Sequence, residues 1–365
     1  MSKLDEKELM LRCFELARKG CGNVSPNPLV GCVIVKNGKI IGNGYHKQFG
    51  GPHAEIFALL QARNKAKGAT LFVNLEPCAH FGKTPPCVDA IIKSGISNVV
   101  IASEDPNPLV SGKGIRRLRE NGIQVKCGLL RKEALSLNEK FYKFMRTGYP
   151  YVGLKLAQTI DGRIADIKGR SKWITSSHAR DYVHCLRSEY DAILVGAKTV
   201  LADNSQLTVR TVKRKSPIRI VLDGKLTIPV SKKIFNTHTA PTWIITSSSA
   251  IKRNRKKVRL LILKGVRVID AGISTSIRAR KILKILAQEG ISSVLLEGGS
   301  HTVAEFIDQS LVDKLFLFIA PKIFGDGLEG IKLNNPRLLY KEISITNIDV
   351  SIIGSDILLK ANFKH

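Results

Sequence analysis

The chain has 365 residues, enough for two ordinary domains. Its composition, with 44% hydrophobic and 24% charged residues, is that of a globular protein with buried cores. These values exclude a disordered chain, and the sequence contains no apolar run long enough to cross a bilayer and no secretory signal. The odd, scattered set of seven cysteines does not form a disulfide framework. We therefore expect a cytoplasmic protein with no membrane partner.

The formal net charge of +28 has two interpretations. A strongly basic chain can have a nucleic-acid partner. However, the basic clusters at 213–215 and 252–257 lie in polar segments, and aromatic residues make up only 6% of the chain. We favour a basic solvated surface, which also suits phosphorylated small substrates, and expect no nucleic-acid partner.

The first elements predict a hairpin behind an amphipathic helix. Apolar residues recur at helical spacing between residues 5 and 19. Residues 29–45 contain a β-branched run, an Asn37-Gly38 turn and a returning strand. The Pro-rich loop before this hairpin is either a simple turn or a support that holds the Asn27 amide over a bound base. The pattern alone favours neither.

One imidazole and two thiols then form a candidate zinc ligand set. His53 follows a Gly-Gly-Pro breaker, so a helix is expected to begin there and run to about Arg63. Cys78 follows a buried strand at 70–74, and Cys87 opens another helix. Each residue alone is more often a packing residue, but this set beside Glu55 is typical of zinc deaminases.

This set predicts a hydrolytic deamination. Zinc lowers the pKa of a bound water, and Glu55 is placed to carry a proton from that water to the departing ammonia. A purely structural zinc site would require a fourth protein ligand, for which His80 is the nearby candidate. A zinc-stapled binding module is therefore the non-enzymatic alternative.

The spacing of the two cysteines narrows the class of deaminase. Eight residues separate Cys78 from Cys87, whereas nucleoside and RNA-editing deaminases usually have two. This loop, with the motifs at 26–32, 51–55 and 105–108, resembles the riboflavin-pathway deaminases. The resemblance implies a cytidine-deaminase-like three-layer α/β/α domain and one zinc per chain on His53, Cys78 and Cys87. It also implies a phosphoribosylated pyrimidine substrate, with Asn27 and the segment His80–Thr84 in its pocket.

Further strands at 99–103 and 123–127 alternate with helices at 113–121 and about 131–145, as in a three-layer α/β domain. The loop at 105–108 follows a strand end, where substrate loops lie in such sheets.

Gly148 and Pro150 follow the last helix and precede a new apolar strand at 151–159. We therefore predict one domain over residues 1–147 and a second over residues 148–365.

The second half contains no further zinc set and no Gly-x-Gly-x-x-Gly fingerprint, so a Rossmann domain is not expected. A buried strand at 293–297 runs through paired glycines into a helix, a turn suited to an anion such as a pyrophosphate. Together with the segments at 155–163, 196–203 and 207–210, this order resembles the riboflavin-pathway reductases. That family is similar to dihydrofolate reductase in fold and uses NADPH.

The resemblance assigns two groups of residues in this second domain. The residues implied to contact NADPH are Ala157, Trp173, Thr199, Asp203, Gly299, Ser300, His301, Thr302, Val303, Ala304 and Glu305. The residues implied to hold the substrate are Ser171, Arg187, Leu207, Arg210 and Glu297.

Several of these assignments have a chemical rationale or an alternative. Arg187 and Arg210 are suited to grip a ribose phosphate with a charge-assisted fork. Trp173 offers a flat face to a ring or only packs. Asp161 and Lys155, near a strand end, either relay a proton or only cap a turn.

Two departures from the reductase pattern stand out. Asn204-Ser205 follows Asp203 where a second acidic residue or Asn-Pro is expected, and Gly224 stands where the family often has a hydroxyl-bearing residue. Neither removes a charge that hydride transfer needs. The sequence thus predicts a bifunctional deaminase and NADPH-dependent reductase, active as a homo-oligomer with a dimer favoured. The alternative is a nucleic-acid-editing zinc deaminase with a basic RNA-binding second domain.

Overall fold

The computed structural model describes residues 5–81, 85–107, 110–211 and 214–364. The chain divides into two compact units, Met1–Gly148 and Tyr149–His365. Among the described residues, every helix is too short or too polar to span a membrane. The seven cysteines are all free thiols.

The first unit is built on a five-stranded sheet with the order β2-β1-β3-β4-β5. Its strands are β1 (Gly31–Lys36), β2 (Lys39–Tyr45), β3 (Thr70–Val73), β4 (Asn98–Ile101) and β5 (Gln124–Cys127). Its helices are α1 (Glu6–Arg18), α2 (Ala54–Ala62), α3 (Cys87–Lys93), α4 (Lys113–Glu120), α5 (Arg131–Leu137) and α6 (Glu139–Thr147), with a 3-10 turn at Arg63–Ala66.

Both faces of this sheet are buried under helices. β1 pairs antiparallel with β2 and β3, which confirms the predicted hairpin, and β3, β4 and β5 are parallel. On one face the strands pack against Phe14 of α1 and Ala134 of α5. On the other they pack against α2, α3 and α4 through residues such as Ala58, Ile91 and Leu118. The three-layer α/β/α arrangement is therefore confirmed.

The single helix predicted over about 131–145 is wrong: the structure has two helices, α5 and α6, separated at Asn138. The Asn138 side chain accepts a hydrogen bond from the Leu29 N–H at 2.8 Å and donates to the Leu29 carbonyl at 3.0 Å. Asparagine side chains compete for backbone groups and so interrupt helices. This one ties the helix break to the loop before β1.

The second unit is built on a nine-stranded sheet with the order β11-β10-β9-β8-β12-β6-β13-β16-β15, beside a small β14-β7 pair. Its strands are β6 (Tyr151–Thr159), β7 (Arg163–Ala165), β8 (Ala192–Gly196), β9 (Ile218–Leu222), β10 (Thr242–Thr246), β11 (Arg267–Asp270), β12 (Ser293–Glu297), β13 (Lys314–Ala320), β14 (Leu328–Glu329), β15 (Ile345–Ile353) and β16 (Asp356–Phe363). Its helices are α7 (Ser177–Arg187), α8 (Ala197–Asp203), α9 (Ser248–Arg253), α10 (Arg255–Leu263), α11 (Ala279–Gln288) and α12 (Ser300–Asp308), with 3-10 turns at Lys233–Phe235 and Leu339–Lys341.

The parallel part of this sheet, β11 through β13, is covered on both faces, and an antiparallel β16–β15 pair extends it. One core includes Val183 of α7, and the other includes Leu283 of α11 and Phe306 of α12. β12 lies between β8 and β6, and Glu297 at its end is paired with Lys155 of β6. Ligand sites in such sheets lie at the carboxyl ends of the strands.

Candidate active sites

The first unit brings His53, Cys78 and Cys87 together. His53 precedes the first residue of α2, Cys87 is the first residue of α3, and Cys78 lies between β3 and α3. One ligand atom from each lies within 4.8 Å of the others, with the His53 Nδ1 at 3.2 Å from the Cys87 Sγ and 3.5 Å from the Cys78 Sγ. Tetrahedral zinc separates bound nitrogen and sulfur by about 3.5 Å. The set therefore fits zinc.

The protonation of the two thiols supports the same conclusion. A hydrogen bond from the Cys87 thiol lowers the pKa of Cys78 against the effect of burial, and this contact together with burial raises the pKa of Cys87. A divalent cation between the two thiols would stabilise both as thiolates, the form that binds metal.

Glu55 lies beside this group with one carboxylate oxygen unused. It is the second residue of α2 and is 3% exposed. Its Oε2 makes no hydrogen bond with any residue that the structure describes. Burial raises the pKa of Glu55 to about 7, although the neighbouring His53 opposes this shift. A carboxyl group that titrates near neutral pH can both accept and return a proton.

A second histidine, missed in the sequence, supports the site. The His46 Nδ1 lies 3.0 Å from the Pro52 carbonyl oxygen, so it carries the hydrogen, and Nε2 accepts from the Asn27 amide at 3.2 Å. The His46 ring packs edge-on against His53 with centroids 5.3 Å apart. The Asn27 amide is therefore held by a ring that contacts the predicted zinc ligand His53. The one signal for His46 was its place directly after the hairpin.

A buried carboxylate, also missed, anchors the segment that carries Cys78. Glu76 is 3% exposed and follows β3. Its two oxygens accept backbone N–H groups at 2.9–3.2 Å from four residues of the loop after β4 and the start of α4: Asp105, Gly112, Gly114 and Ile115. Because one residue separates Glu76 from Cys78, this carboxylate fixes the cysteine against α4.

The remaining candidates of the first unit lie around this core. Asp105 is buried, and burial raises its pKa to about 6. His80 is exposed and does not join the three ligands, so the described residues provide no support for a four-ligand structural site. Residues 82–84 of the predicted substrate loop, and Pro108 of the following loop, lie outside the described residues.

In the second unit, a cleft of about 1120 Å³ collects nearly all the predicted residues. The predicted residues that line it are Ala157, Ser171, Trp173, Arg187, Thr199, Asp203, Leu207, Arg210, Glu297, Gly299, Ser300, His301, Thr302 and Glu305. Val303 and Ala304 do not line it. Both are fully buried, because the helical repeat turns them to the inner side of α12.

Arg187 and Glu297 form a buried ion pair in the lining of this cleft. The guanidinium donates from Nε to Glu297 Oε1 at 2.6 Å and from Nη2 to Oε2 at 2.7 Å. The expectation that Arg187 grips a phosphate with its fork is not matched by this geometry, since Glu297 occupies the fork. Burial raises the pKa of Glu297, but Arg187 and then Lys155 outweigh it and leave that pKa lowered.

Arg210 has a different environment. It is exposed, and none of the described acidic residues pairs with it. Its Nη1 donates to the Thr208 hydroxyl at 3.1 Å, and its Nη2 lies 3.4 Å from the Nε2 of His184. His184, on α7, was missed in the sequence. Its position one turn before Arg187 on the same helix was the available signal.

The turn between β12 and α12 requires both of its glycines. Gly298 and Gly299 have φ values of 86° and 79°, a region that other residues avoid. A Cβ on Gly299 would lie 3.0 Å from the Thr199 hydroxyl oxygen. None of the described side chains caps the first turn of α12, so its backbone N–H groups remain available to an anion.

The contacts of Trp173 and Asp161 bear on the two open alternatives of this unit. Trp173 is 66% exposed at the cleft, with the Arg180 guanidinium 4.3 Å from its ring centroid, so it is not a core packing residue. The Asp161 carboxylate accepts from the Thr159 hydroxyl and the Phe324 and Gly325 N–H groups. Asp161 therefore caps a turn.

The two sequence departures have structural reasons. Asn204 ends α8 with a φ of 45°, and its side-chain oxygen accepts the Lys233 N–H at 3.1 Å. Asparagine tolerates this left-handed conformation better than most residues. At Gly224 an added Cβ would lie 2.0 Å from the Thr275 carbonyl oxygen, so only glycine fits beside that loop.

Comparison with known proteins is consistent with both sites. Residues 3–103 match the cytidine and deoxycytidylate deaminase zinc-binding region, and residues 150–354 match the RibD C-terminal domain. The riboflavin biosynthesis protein RibD of Aquifex aeolicus is 46% identical over 358 residues, covering 97% of each chain. The chain belongs to the RibD family. It is thus a bifunctional deaminase and reductase of riboflavin biosynthesis, with zinc and NADPH as cofactors.

Solved RibD structures share the fold. A RibD structure from Acinetobacter baumannii has a TM-score of 0.88 and 37% identity, covering 98% of this chain and 99% of that one. A deaminase/reductase from Thermotoga maritima, named for diaminohydroxyphosphoribosylaminopyrimidine and 5-amino-6-(5-phosphoribosylamino)uracil, has a TM-score of 0.87 and 41% identity, covering 98% of both chains. Because the second unit belongs to this family, a nucleic-acid-editing deaminase with an RNA-binding second domain is not favoured.

Proposed function

We propose that the first unit hydrolyses 2,5-diamino-6-(5-phosphoribosylamino)pyrimidin-4-one with release of ammonia. The second unit then reduces the ribosyl chain of that product to give 5-amino-6-(5-phosphoribitylamino)uracil. The observation that carries the first step is the buried Glu55 carboxylate, whose Oε2 has no hydrogen-bond partner among the described residues, beside a zinc-sized group of His53, Cys78 and Cys87. The cleft around Glu297 supports the second.

In the deaminase site, bound zinc would act as a Lewis acid and make its water ligand acidic enough to ionise near neutral pH. Glu55 accepts the proton that this water loses and delivers it to the ring amino group that departs as ammonia. Burial suits it to this task, since it raises the pKa of the carboxyl group to about 7. Asn27, oriented by His46, is placed to hydrogen-bond the pyrimidine edge.

In the reductase cleft, NADPH supplies a hydride for C1 of the ribosyl group. The uncapped N–H groups at the start of α12 and the paired-glycine turn suit the cofactor's pyrophosphate. Ser171 donates to Asp203 at 2.9 Å and keeps that carboxylate oriented in the cleft. Burial lowers the pKa of Lys155, and Glu297 opposes that shift, so an amine with reduced proton affinity lies beside the substrate position.

We also propose a homodimer formed through β15. This strand is at the edge of the nine-stranded sheet. Its exposed apolar side chains are Ile345, Ile348, Val350 and Ile352. An exposed apolar edge strand is a template for pairing, and pairing with a second copy would cover it.

The free thiols favour a cytoplasmic location, and small phosphorylated substrates make a nucleic-acid partner unnecessary.

The two-step assignment is tested with the full chain and one chelator. With the diamino substrate, we expect ammonia release to precede NADPH oxidation. Removal of zinc should stop ammonia release, whereas NADPH oxidation should persist when the deaminated intermediate is supplied directly. Reduction of the diamino substrate before any ammonia appears would contradict the proposed order.

A further inference from the structure

The two arginines of the reductase cleft differ in the charge they can offer a ligand. Arg187 is neutralised by the two short hydrogen bonds to Glu297. Among the residues that the structure describes, the Thr208 hydroxyl and the imidazole of His184 anchor Arg210, and neither carries a negative charge. Arg210 therefore keeps its full positive charge in the cleft while its orientation is fixed.

His184 can anchor Arg210 only as the neutral imidazole. Its Nε2 must accept a hydrogen bond from the Arg210 Nη2, and a protonated ring has no acceptor. Burial lowers the pKa of His184, and the Arg187 and Arg210 guanidiniums lower it further, whereas the Thr208 backbone and Glu297 act in the opposite direction. The ring is thus held in the form that this contact needs.

The remaining atoms of His184 show that it is built into the cleft. The residue lines the cleft but is only 7% exposed, and its Nδ1 makes no normal hydrogen bond with any described residue. The Thr208 carbonyl, which raises the pKa of His184, also accepts from the Arg187 Nη1 at 3.3 Å. Thr208 therefore contacts both arginines, Arg187 through its carbonyl and Arg210 through its hydroxyl.

We infer that His184 is a positioning residue that holds Arg210 as the phosphate-binding group of the reductase cleft. This inference rests on the proposed reductase function, since the phosphate is that of the ribosyl substrate. A carboxylate in the place of His184 would orient Arg210 equally well but would neutralise it and compete with a phosphate. A neutral acceptor avoids that competition.

The test uses the full chain with the deaminated intermediate and its dephosphorylated form. His184→Ala should raise the KM for the phosphorylated intermediate about tenfold, the scale of one such hydrogen bond, and leave kcat and the KM for NADPH within about twofold. His184→Gln, which restores an acceptor, should recover most of the affinity. The matched control is His178→Ala, an exposed histidine on the same helix.

The dephosphorylated intermediate decides the assignment. Its KM should be the same in the wild type and in His184→Ala, and an equal rise for both substrates would overturn the inference. If His184→Ala folds poorly, His184→Phe replaces it in the test, because phenylalanine fills the space without offering an acceptor. The same selective rise in the KM for the phosphorylated intermediate is then expected.

Inorganic phosphate provides a measurement that does not depend on the reaction. By titration calorimetry, His184→Ala should bind phosphate about tenfold more weakly than the wild type. If the wild type does not reduce the intermediate, the proposed function fails, and the calorimetry still decides the role of His184. Unchanged phosphate binding in the variant would overturn the inference.

Discussion

The guanidinium of Arg187 and the carboxylate of Glu297 meet through two nearly equal hydrogen bonds, with side chains only 13% and 8% exposed. Removing one member of a buried pair leaves an uncompensated charge, which typically costs about 3–5 kcal/mol. We expect Arg187→Ala to lower the free energy of unfolding by an amount of this order in urea titrations. The exposed pair Arg12–Glu15 is the control, and Arg12→Ala should cost less than about 1 kcal/mol.

The ion pair between Arg187 and Glu297 also predicts that the free energy of unfolding falls in acid. Burial raises the pKa of Glu297, but Arg187 outweighs it, so the pKa in the folded state lies below that in the unfolded state. The stabilisation is therefore present above the ordinary pKa of glutamate, near 4.5, and is lost as the pH falls through the lowered value. Unfolding titrations between pH 7 and 3 should show this loss in the wild type. Glu297→Gln should abolish that part of the pH dependence, and an unchanged slope would contradict it.

Replacement of the proton carrier should separate catalysis from metal binding. Glu55→Gln keeps the size of the side chain but cannot accept the proton, so we expect deamination to fall at least about a hundredfold. Zinc content and the Tm should remain near the wild-type values. NADPH oxidation with the supplied deaminated intermediate serves as the control. A variant with full deaminase activity would exclude this role for Glu55.

Loss of one thiol should release zinc. In Cys78→Ser the hydroxyl does not ionise near neutral pH and is a poor zinc ligand, so we expect metal analysis to find far less than one zinc per chain. Cys127 is exposed and outside the ligand group, which makes Cys127→Ser the matched control with full zinc content. Retention of zinc by Cys78→Ser would show that Cys78 is not a ligand.

The glycine at position 224 should resist replacement by the hydroxyl-bearing residue of related reductases. In Gly224→Ser the new Cβ would meet the Thr275 carbonyl oxygen at 2.0 Å, and the loop must move. Overpacking of this kind costs about 1–3 kcal/mol, so we expect a lower Tm by calorimetry. A Tm equal to that of the wild type would show that the loop adapts freely.

The sequence predicted the features that depend on local spacing. Helical and strand periodicity located the helices and strands of the first unit, apart from the break between α5 and α6, but only β6, β12 and α12 of the second unit. The spacing of His53, Cys78 and Cys87 indicated a zinc group that the structure brings within 4.8 Å. Paired glycines predicted the turn before α12, because only glycine readily adopts two successive left-handed conformations.

Contacts between distant segments could not be read in this way. Arg187 and Glu297 are 110 residues apart, so nothing in either segment indicated that the guanidinium was already occupied. Asn138 interrupts a helix to bind Leu29, a residue 109 positions away. His184 has a role only because the fold places it beside Arg210. Such supporting residues are set by tertiary pairing rather than by pattern.

The four backbone hydrogen bonds to Glu76 have a consequence for the loss and return of the metal ion. In small zinc-stapled domains the ion itself holds the ligand loops, and chelation unfolds them. Here a carboxylate of the protein performs that task for the Cys78 segment. We therefore expect the Cys78 segment to keep its conformation when zinc leaves, so that zinc can return without a cycle of unfolding and refolding.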